Sequence, residues 1–282
     1  RFSKQYTSFK SLLFRALIIH VVIMLFLYLI VYLMFRYSEI NLEILFREFL
    51  QNPVIIINLV YSLLINSIIV IIIYLNKLFG KGNLAKLLTG KFYNPKEEFR
   101  IFMFLDLQSS TKLAENLGHI KYSKLIQDCF YDLGVIEPTK VEIYQYVGDE
   151  AVLTFKLGSD SSIDNCLDAF FLYSEKLRSR QQHYLDQYGA LPVFKAGMHL
   201  GIVTVAEVGT LKREIAYHGD TINIASRIQG QCKVFNREFL ISNTVIDYIK
   251  HKDKFEFEAL DQLILRGKKE ATVLFSVSKN EP

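Results

Sequence analysis

The stretch YQYVGDEAVLTF, residues 144–155, decides how the second half of the chain folds. Alternating apolar and aromatic residues flank a Gly-Asp pair, a pattern that is typical of two antiparallel strands joined by a tight turn. Asp149 and Glu150 therefore stand at the tip of a predicted hairpin. Asp is common in turns because its side chain bonds to the nearby backbone. Any chemical role must therefore come from groups that the fold brings to this tip.

The segments before this hairpin predict a strand and a helix. RIFMFLDL (100–107) contains a continuous apolar run, IFMFL, between Arg100 and Asp106, as expected of a buried strand. SSTKLAENLGHIKYSKLIQDCFYDLG (109–134) begins with Ser and Thr and ends with Gly, which are the start and stop signals of a helix.

The segments after the hairpin continue the alternation. SSIDNCLDAFFLYSEKLRSRQQHYL (161–185) predicts one long amphipathic helix, and FKAGMHLGIVTVAEVG (194–209) predicts a second hairpin that turns near Gly201. DTINIASRIQGQC (220–232) predicts a helix with Asp220 at its N-cap. This order of elements predicts an α+β sandwich, in which helices cover a mixed sheet.

The first 76 residues have a different composition. The segment Ala16–Phe35 is 20 residues long with His20 as its only clearly ionisable member, and Val54–Leu75 is 22 residues long without a charge. At ~1.5 Å per residue, each helix would cross the ~30 Å hydrocarbon core of a bilayer. We therefore expect a membrane domain at residues 1–76 with two transmembrane helices, at about 16–35 and 54–75.

Charge gives this domain an orientation. Lysine and arginine cluster before the first span and after the second, whereas acidic residues predominate between them. The positive-inside rule then places residues after 76 in the cytoplasm, as a multi-pass protein of the inner membrane. Residues 77–98 are expected to form a basic linker, and residues 99–282 a separate globular domain.

Cysteines and net charge exclude other classes. Cys129, Cys166 and Cys232 are far apart and show no zinc-ligand spacing, which fits three free thiols in a reducing compartment. The net charge of +4 is modest and is concentrated beside the predicted spans, so no nucleic-acid partner is indicated.

Two aspartates suggest a metal site. Asp106 ends a strand and Asp149 stands at a hairpin tip, so both would emerge at one sheet edge if these strands are neighbours. Two carboxylates together with substrate phosphates suit Mg²⁺. The helix that follows LQSST would offer free backbone N–H groups to phosphate, and Thr111 lies at its start. Turn and cap roles for both aspartates remain the alternative.

Three segments, FLDLQSST, YVGDEAVLTF and YHGDTINIASR, together resemble the catalytic domain of class III nucleotidyl cyclases, the adenylate and guanylate cyclase family. The resemblance covers roughly residues 98–278. It implies a ferredoxin-like cyclase fold and two Mg²⁺ or Mn²⁺ ions per active site. The implied metal ligands are Asp106, Asp149 and the backbone carbonyl of Leu107.

The resemblance also implies the remaining site residues. Asn223 and Arg227 would stabilise the transition state, Thr111 would bind substrate, and Arg266 would contact the terminal phosphates. In this family each site is shared by two subunits, so a homodimer is implied. One subunit gives the aspartates and its partner gives the base-reading and transition-state residues.

The base pocket departs from the family pattern. Adenylate cyclases place Lys three residues before the Gly of the second motif and Asp or Thr three residues before that of the third, whereas this chain has Gln145 and Ala216. Guanylate cyclases use Glu and Cys there. An amide both donates and accepts, so Gln145 can pair with either purine. The sequence predicts conversion of ATP to cyclic AMP, with guanylate or dual-purine activity as the alternative.

Two further functions stay open. The Gln145 and Ala216 pair is also compatible with a catalytically silent, nucleotide-binding regulatory domain. VGDE is similar to part of the diguanylate cyclase signature, but HGDTINIASR has no counterpart in that family. Glu150 is expected to face away from Asp149 unless a bulge redirects it.

Overall fold

The computed structural model describes residues 9–36, 53–80, 82–158, 163–263 and 271–280. The chain divides into two compact units, Arg1–Leu84 and Ala85–Pro282. The residues predicted to link the two spans, and Arg266, lie outside the described ranges.

The N-terminal unit contains two long helices, α1 (Phe9–Arg36) and α2 (Pro53–Phe79). They are joined by a hydrogen bond of 3.0 Å between Ser62 Oγ and His20 Nε2. Within the described residues, one helical segment is long and apolar enough to cross a membrane, Val60–Phe79, with mean hydropathy 2.0 and only 6% of it buried. The apolar part of α1, Leu13–Leu27, is shorter. Two spans therefore remain a prediction, and by length and composition one described helical segment meets the requirement.

The second unit is built on one mixed sheet. Within the described residues this sheet contains β1 (Lys96–Leu107), β2 (Glu142–Val147), β3 (Glu150–Lys156), β4 (Phe194–Val208), β5 (Glu214–His218), β6 (Phe239–Ser242), β7 (Phe255–Leu263) and β8 (Thr272–Lys279). Their order is β2-β3-β1-β4-β6-β8-β7, and β5 pairs with the far half of β4. The β4–β6 pair is parallel and the others are antiparallel.

Helices cover both faces of this sheet. They are α3 (Asn83–Leu88), α4 (Ser110–Asp132), α5 (Asp164–Ser179), α6 (Gln181–Tyr188), α7 (Asp220–Val234) and α8 (Asn243–Ile246), with 3₁₀ turns at Leu133–Thr139 and Lys252–Lys254. The prediction of a mixed sheet covered by helices is confirmed.

Alternation along β1 sets the two cores. Ile101, Met103 and Leu105 pack with the buried side chains of α4, α5 and α6, on what we call the α4 face. Phe102 and Phe104 pack on the opposite side with side chains of β5 and α7, on the α7 face. Because side chains of a strand alternate between faces, Asp106 falls on the α7 face.

The predicted hairpin over residues 194–209 is wrong. This segment is a single 15-residue strand, β4, and the chain turns only between β4 and β5. Gly197 and Gly201 lie where α7 crosses the strand: a Cβ on Gly197 would be 2.0 Å from Gln229 N, and one on Gly201 would be 2.5 Å from Thr221 Oγ1. Glycine here permits close packing of a helix and does not mark a turn.

The two predicted long helices are both interrupted. The helix predicted over 161–185 is divided into α5 and α6 at Arg180, which has φ −105° and ψ 17°. The helix predicted over 109–134 is kinked at Gly118, with φ 69° and ψ 163°. Positive φ is accessible to glycine at little cost, so hydrophobic periodicity alone did not reveal this break.

Candidate active site

Three carboxylates meet at the end of β1. Asp106 is paired in register with Glu150, the first residue of β3, and residues directly opposite in an antiparallel pair share a face. Asp149 lies in the turn just before Glu150, after Gly148 at φ 62°. The expectation that Asp106 and Asp149 meet at one sheet edge is met by this placement. Glu150 faces the same side as Asp106, which the sequence did not predict.

Burial and the neighbouring carboxylates disfavour the charged forms of Asp106 and Glu150. The pKa of Asp106 is raised by burial and then by the charge of Asp149, while hydrogen bonds from the Gln229 side chain and the Leu107 backbone oppose the rise. Gln229 Nε2 donates to Asp106 Oδ2 at 3.3 Å. The pKa of Glu150 is raised to about 7, by burial first and then by Asp106 and Asp149. The site therefore has excess negative charge that a cation would offset.

No described lysine or arginine makes an ion pair with these three carboxylates. Lys195 lies opposite Asp106 in β4, but its Nζ donates to Cys232 O at 3.3 Å. Among the described residues no cluster of three or more His, Cys, Asp or Glu side chains has metal-binding geometry. Two carboxylates without a protein cation, at the end of a strand, nevertheless fit hard cations, which take their other ligands from substrate and water.

Helix α4 begins at the same edge. Ser109 adopts a left-handed conformation with φ 58°, and Leu113 N donates to Ser109 O at 3.0 Å. Thr111 is exposed in the first turn, where free N–H groups favour a phosphate. Tyr122, from beyond the kink of α4, is also near: its pKa is raised by burial and then by the charge of Asp149.

Helix α7 presents two different sides. Its buried side packs on the sheet through Thr221, Ile224, Ala225, Ile228 and Cys232. Gln229 reaches Asp106 of its own chain. Arg227 precedes Gln229 by two residues, so its side chain leaves the helix about 200° away. Asn223, one turn before Arg227, is exposed and Arg227 is half-buried. The Asn223 and Arg227 pair is thus directed away from the carboxylates of the same chain.

The two base-pocket positions lie on strands that meet through tyrosines. Tyr144 and Tyr217 are in edge contact, with ring centroids 4.9 Å apart. They are the chain neighbours of Gln145 and Ala216. A bulge between Ile143 and Gln145 places Gln145 opposite Val152, with its side chain exposed. Ala216 pairs with Ala206 and is 9% exposed.

Sequence reasoning missed Gln229 and undervalued Glu150. Gln229 lies two residues beyond the motif YHGDTINIASR, so the motif did not point to it. Its contact with Asp106 depends on how closely α7 approaches β4. Glu150 was expected to face away from Asp149, whereas its pairing opposite Asp106 places these two side chains on one face. Arg266, the candidate for the terminal phosphates, lies outside the described residues.

Comparison with known proteins identifies relatives of this chain. The family model of the adenylate and guanylate cyclase catalytic domain matches residues 93–277. Adenylate cyclase 2 of Rhizobium meliloti strain 1021 is 29% identical over 223 residues, covering 78% of this chain and 61% of that protein. An adenylate cyclase of Anabaena cylindrica is 27% identical over 182 residues, covering 62% of this chain and 36% of that protein. The chain thus spans less than two thirds of the length of these relatives.

Solved structures show the same fold at low identity. The adenylyl cyclase CyaB of P. aeruginosa has a TM-score of 0.56 at 18% identity, covering 67% of this chain and 97% of that one. The guanylate cyclase domain of RhGC from Catenaria anguillulae, in complex with GTP, has a TM-score of 0.54 at 19% identity, covering 66% of this chain and all of that one. The chain therefore belongs to the adenylate and guanylate cyclase catalytic domain family.

Proposed function

We propose that this chain is a nucleotidyl cyclase that converts ATP into cyclic AMP and pyrophosphate at sites shared by two copies of the chain. The observation that carries the proposal is the split of functional groups in one copy. Asp106 and Asp149 converge at one edge of the sheet, whereas Asn223 and Arg227 leave α7 on the side opposite Gln229, which contacts Asp106. A complete site therefore needs α7 from a second copy.

In the proposed reaction the ribose 3′-oxygen attacks the α-phosphorus, and the bond from that phosphorus to the departing pyrophosphate breaks. The 3′-hydroxyl gives its proton to solvent water, and pyrophosphate leaves with the electron pair of the broken bond. Asp106, Asp149 and the Leu107 carbonyl would hold two Mg²⁺ or Mn²⁺ ions, which favour the deprotonated 3′-oxygen and neutralise the leaving group.

The other residues of the site bind and orient. The first turn of α4, with Thr111, offers backbone N–H groups to the triphosphate. Arg227 of the second copy offers a planar fork of donors to the α-phosphate, where charge develops as the bond to pyrophosphate breaks. Asn223, one turn away, adds a neutral donor on the same helix side.

ATP is the proposed substrate because the two relatives described above are adenylate cyclases. Gln145 favours a second candidate, GTP, since its amide can pair with either purine. The Ala216 side chain has no polar atom, so the wrong base would not leave a polar group of this side chain without a hydrogen bond. Selection between the purines should therefore be weaker than in a site with two matched polar side chains.

The membrane assignment is part of the proposal. Val60–Phe79 has the length and hydropathy of a spanning helix, and α1 is bonded to α2 through His20 and Ser62. We infer that both helices anchor the chain in the inner membrane with the cyclase unit in the cytoplasm. Anchoring would raise the effective concentration of the second copy.

The direct test uses the full chain, purified in detergent or nanodiscs, with ATP or GTP and either Mg²⁺ or Mn²⁺. Cyclic AMP should be the main product. Folded, dimeric protein that forms no cyclic product would refute the enzymatic proposal, and tight triphosphate binding in that preparation would indicate a regulatory domain.

Complementation tests the shared site. Asp149→Ala and Arg227→Ala should each be inactive alone, because each leaves both sites of a homodimer incomplete. Their mixture should regain activity, since a heterodimer has one site with neither substitution. A mixture that forms heterodimers and stays inactive would contradict a site shared between copies.

A further inference from the structure

A buried arginine lies behind the base-pocket strands. Arg100 is on β1, on the same face as Asp106, and is 2% exposed. Its Nη1 donates to the Tyr217 hydroxyl at 2.8 Å, and its Nη2 donates to Glu142 Oε2 at 3.2 Å. Its Nε lies 3.6 Å from Glu98 Oε2, which is ion-pair distance but too long for a hydrogen bond. One guanidinium therefore holds partners on three strands.

Two of those partners belong to the strands that carry the base-pocket positions. Glu142 is three residues before Gln145 on β2, and Tyr217 directly follows Ala216 on β5. These strands are not neighbours in the sheet, since β3, β1 and β4 lie between them. Tyr144 contacts Tyr217 directly and Phe102 contacts both of these rings, and to these ring contacts Arg100 adds side-chain hydrogen bonds to both strands.

The rings around this arginine are also tightly packed. Tyr217 lies 4.8 Å from the guanidinium carbon and 5.4 Å, ring to ring, from Phe102. Burial raises the pKa of Tyr217, while the charge of Arg100 opposes the rise. The hydroxyl therefore stays protonated, and its position is fixed by a charge-assisted hydrogen bond.

We propose that Arg100, acting through Tyr217 and Glu142, is the positioning element that sets the spacing of Gln145 and Ala216 and thereby the purine selectivity of the site. The planar guanidinium directs its two Nη donors in a fixed fork to β2 and β5, whereas the ammonium of lysine is a compact charge on a flexible stem and does not fix this geometry. Gln145 has no fixed preference of its own, so the geometry of its surroundings decides which purine it pairs with. The inference rests on the proposed cyclase function.

The test substitution is Tyr217→Phe, which keeps the ring and removes the hydroxyl that Arg100 holds. The full chain is assayed for cyclic AMP and cyclic GMP formation, giving kcat and KM for each nucleotide. We expect the ATP-to-GTP ratio of kcat/KM to change about fivefold, the factor that corresponds to the loss of one hydrogen bond. The change should appear in KM, with kcat nearly unaltered. Arg100→Lys should shift the ratio in the same direction, and the double variant should shift it no further.

A matched control removes another buried tyrosine hydroxyl. Tyr173 is fully buried on the α4 face and donates to Cys129 O at 3.3 Å. Tyr173→Phe should lower the melting temperature, as Tyr217→Phe does, and leave the ATP-to-GTP ratio unchanged. Equal ratios in the wild type, Tyr217→Phe and Tyr173→Phe would overturn the proposal and leave Arg100 a purely structural role.

Binding separates this inference from the proposed activity. The 3′-deoxy forms of ATP and GTP lack the attacking hydroxyl, so their dissociation constants are measurable with or without turnover. A changed ratio of these constants in Tyr217→Phe supports the positioning role even if the wild type forms no cyclic product. An unchanged ratio contradicts it whatever the activity.

Discussion

Replacing Gly197 by alanine should disturb the active site by displacing α7 from β4. The added Cβ would lie 2.0 Å from Gln229 N and 2.4 Å from Gln229 Cα, whereas ordinary contact begins at 3.4 Å. The distance from the added Cβ to Gln229 N is therefore 1.4 Å too short. Because Gln229 N is a backbone atom, α7 must move away from β4 by about that distance. Overpacking of this kind costs about 3 kcal/mol, the upper end of its usual range. For a domain of this size the melting temperature should fall by about 10 °C.

Activity should fall more steeply than stability. The same displacement moves Gln229 away from Asp106 and shifts Asn223 and Arg227 with it. A misplacement of about 1 Å can cost about 100-fold in rate. The measurements are cyclic AMP formation below the melting transition of the variant and differential scanning calorimetry of the full chain.

A matched substitution shows whether position matters. A Cβ added to Gly134 would meet nothing within 4 Å, and this glycine has no positive φ. Gly134→Ala should therefore change stability by less than about 0.5 kcal/mol. A Gly197→Ala protein with the wild-type melting temperature and full activity would refute the close packing of α7 on β4. A variant that fails to accumulate while Gly134→Ala is normal would support it.

Three further results are expected. Mg²⁺ or Mn²⁺ should raise the melting temperature of the wild type by relieving carboxylate repulsion, and Asp149→Asn should reduce that rise. Equal rises of the wild type and of Asp149→Asn in calorimetry would argue against the metal site. Tyr184→Phe should cost about 1.5–3 kcal/mol in urea unfolding, because the hydroxyl donates to the buried Asp132 at 2.6 Å; a neutral effect would contradict this bond. The three cysteine thiols should not react with a thiol reagent at pH 8 until the protein is unfolded, because all three are buried and burial raises the pKa of Cys232 to about 12. Labelling of the native protein would contradict the burial of Cys129, Cys166 and Cys232.

Much of the sheet could be predicted from local pattern. The β2–β3 hairpin follows from alternation and from the Gly-Asp turn, and β1 follows from the apolar run that precedes Asp106. Gly201 was misassigned because a glycine in a strand has two physical uses, a turn and a close approach, and the sequence does not distinguish them. The distinction depends on Thr221, which is distant in sequence and adjacent only after folding.

The site was predicted as a set of residues but not as an arrangement. The metal-ligand candidates Asp106 and Asp149 could be named because each stands at the end of a predicted strand. The Gln229 contact and the link from Arg100 to Tyr217 could not, since both join segments more than 100 residues apart. Such contacts depend on helix placement and on sheet order, which periodicity does not encode.

The two sides of α7 have a mechanical consequence for the proposed dimer. Gln229 belongs to the carboxylate end of its own chain, while Arg227 would serve the site completed by the other copy. A rotation of this one helix about its axis would therefore change both sites together. It would alter the Gln229 contact with Asp106 in one site and the position of Arg227 in the other. Each α7 helix would therefore couple the two active sites, and a change in its orientation would alter the rates of both sites together.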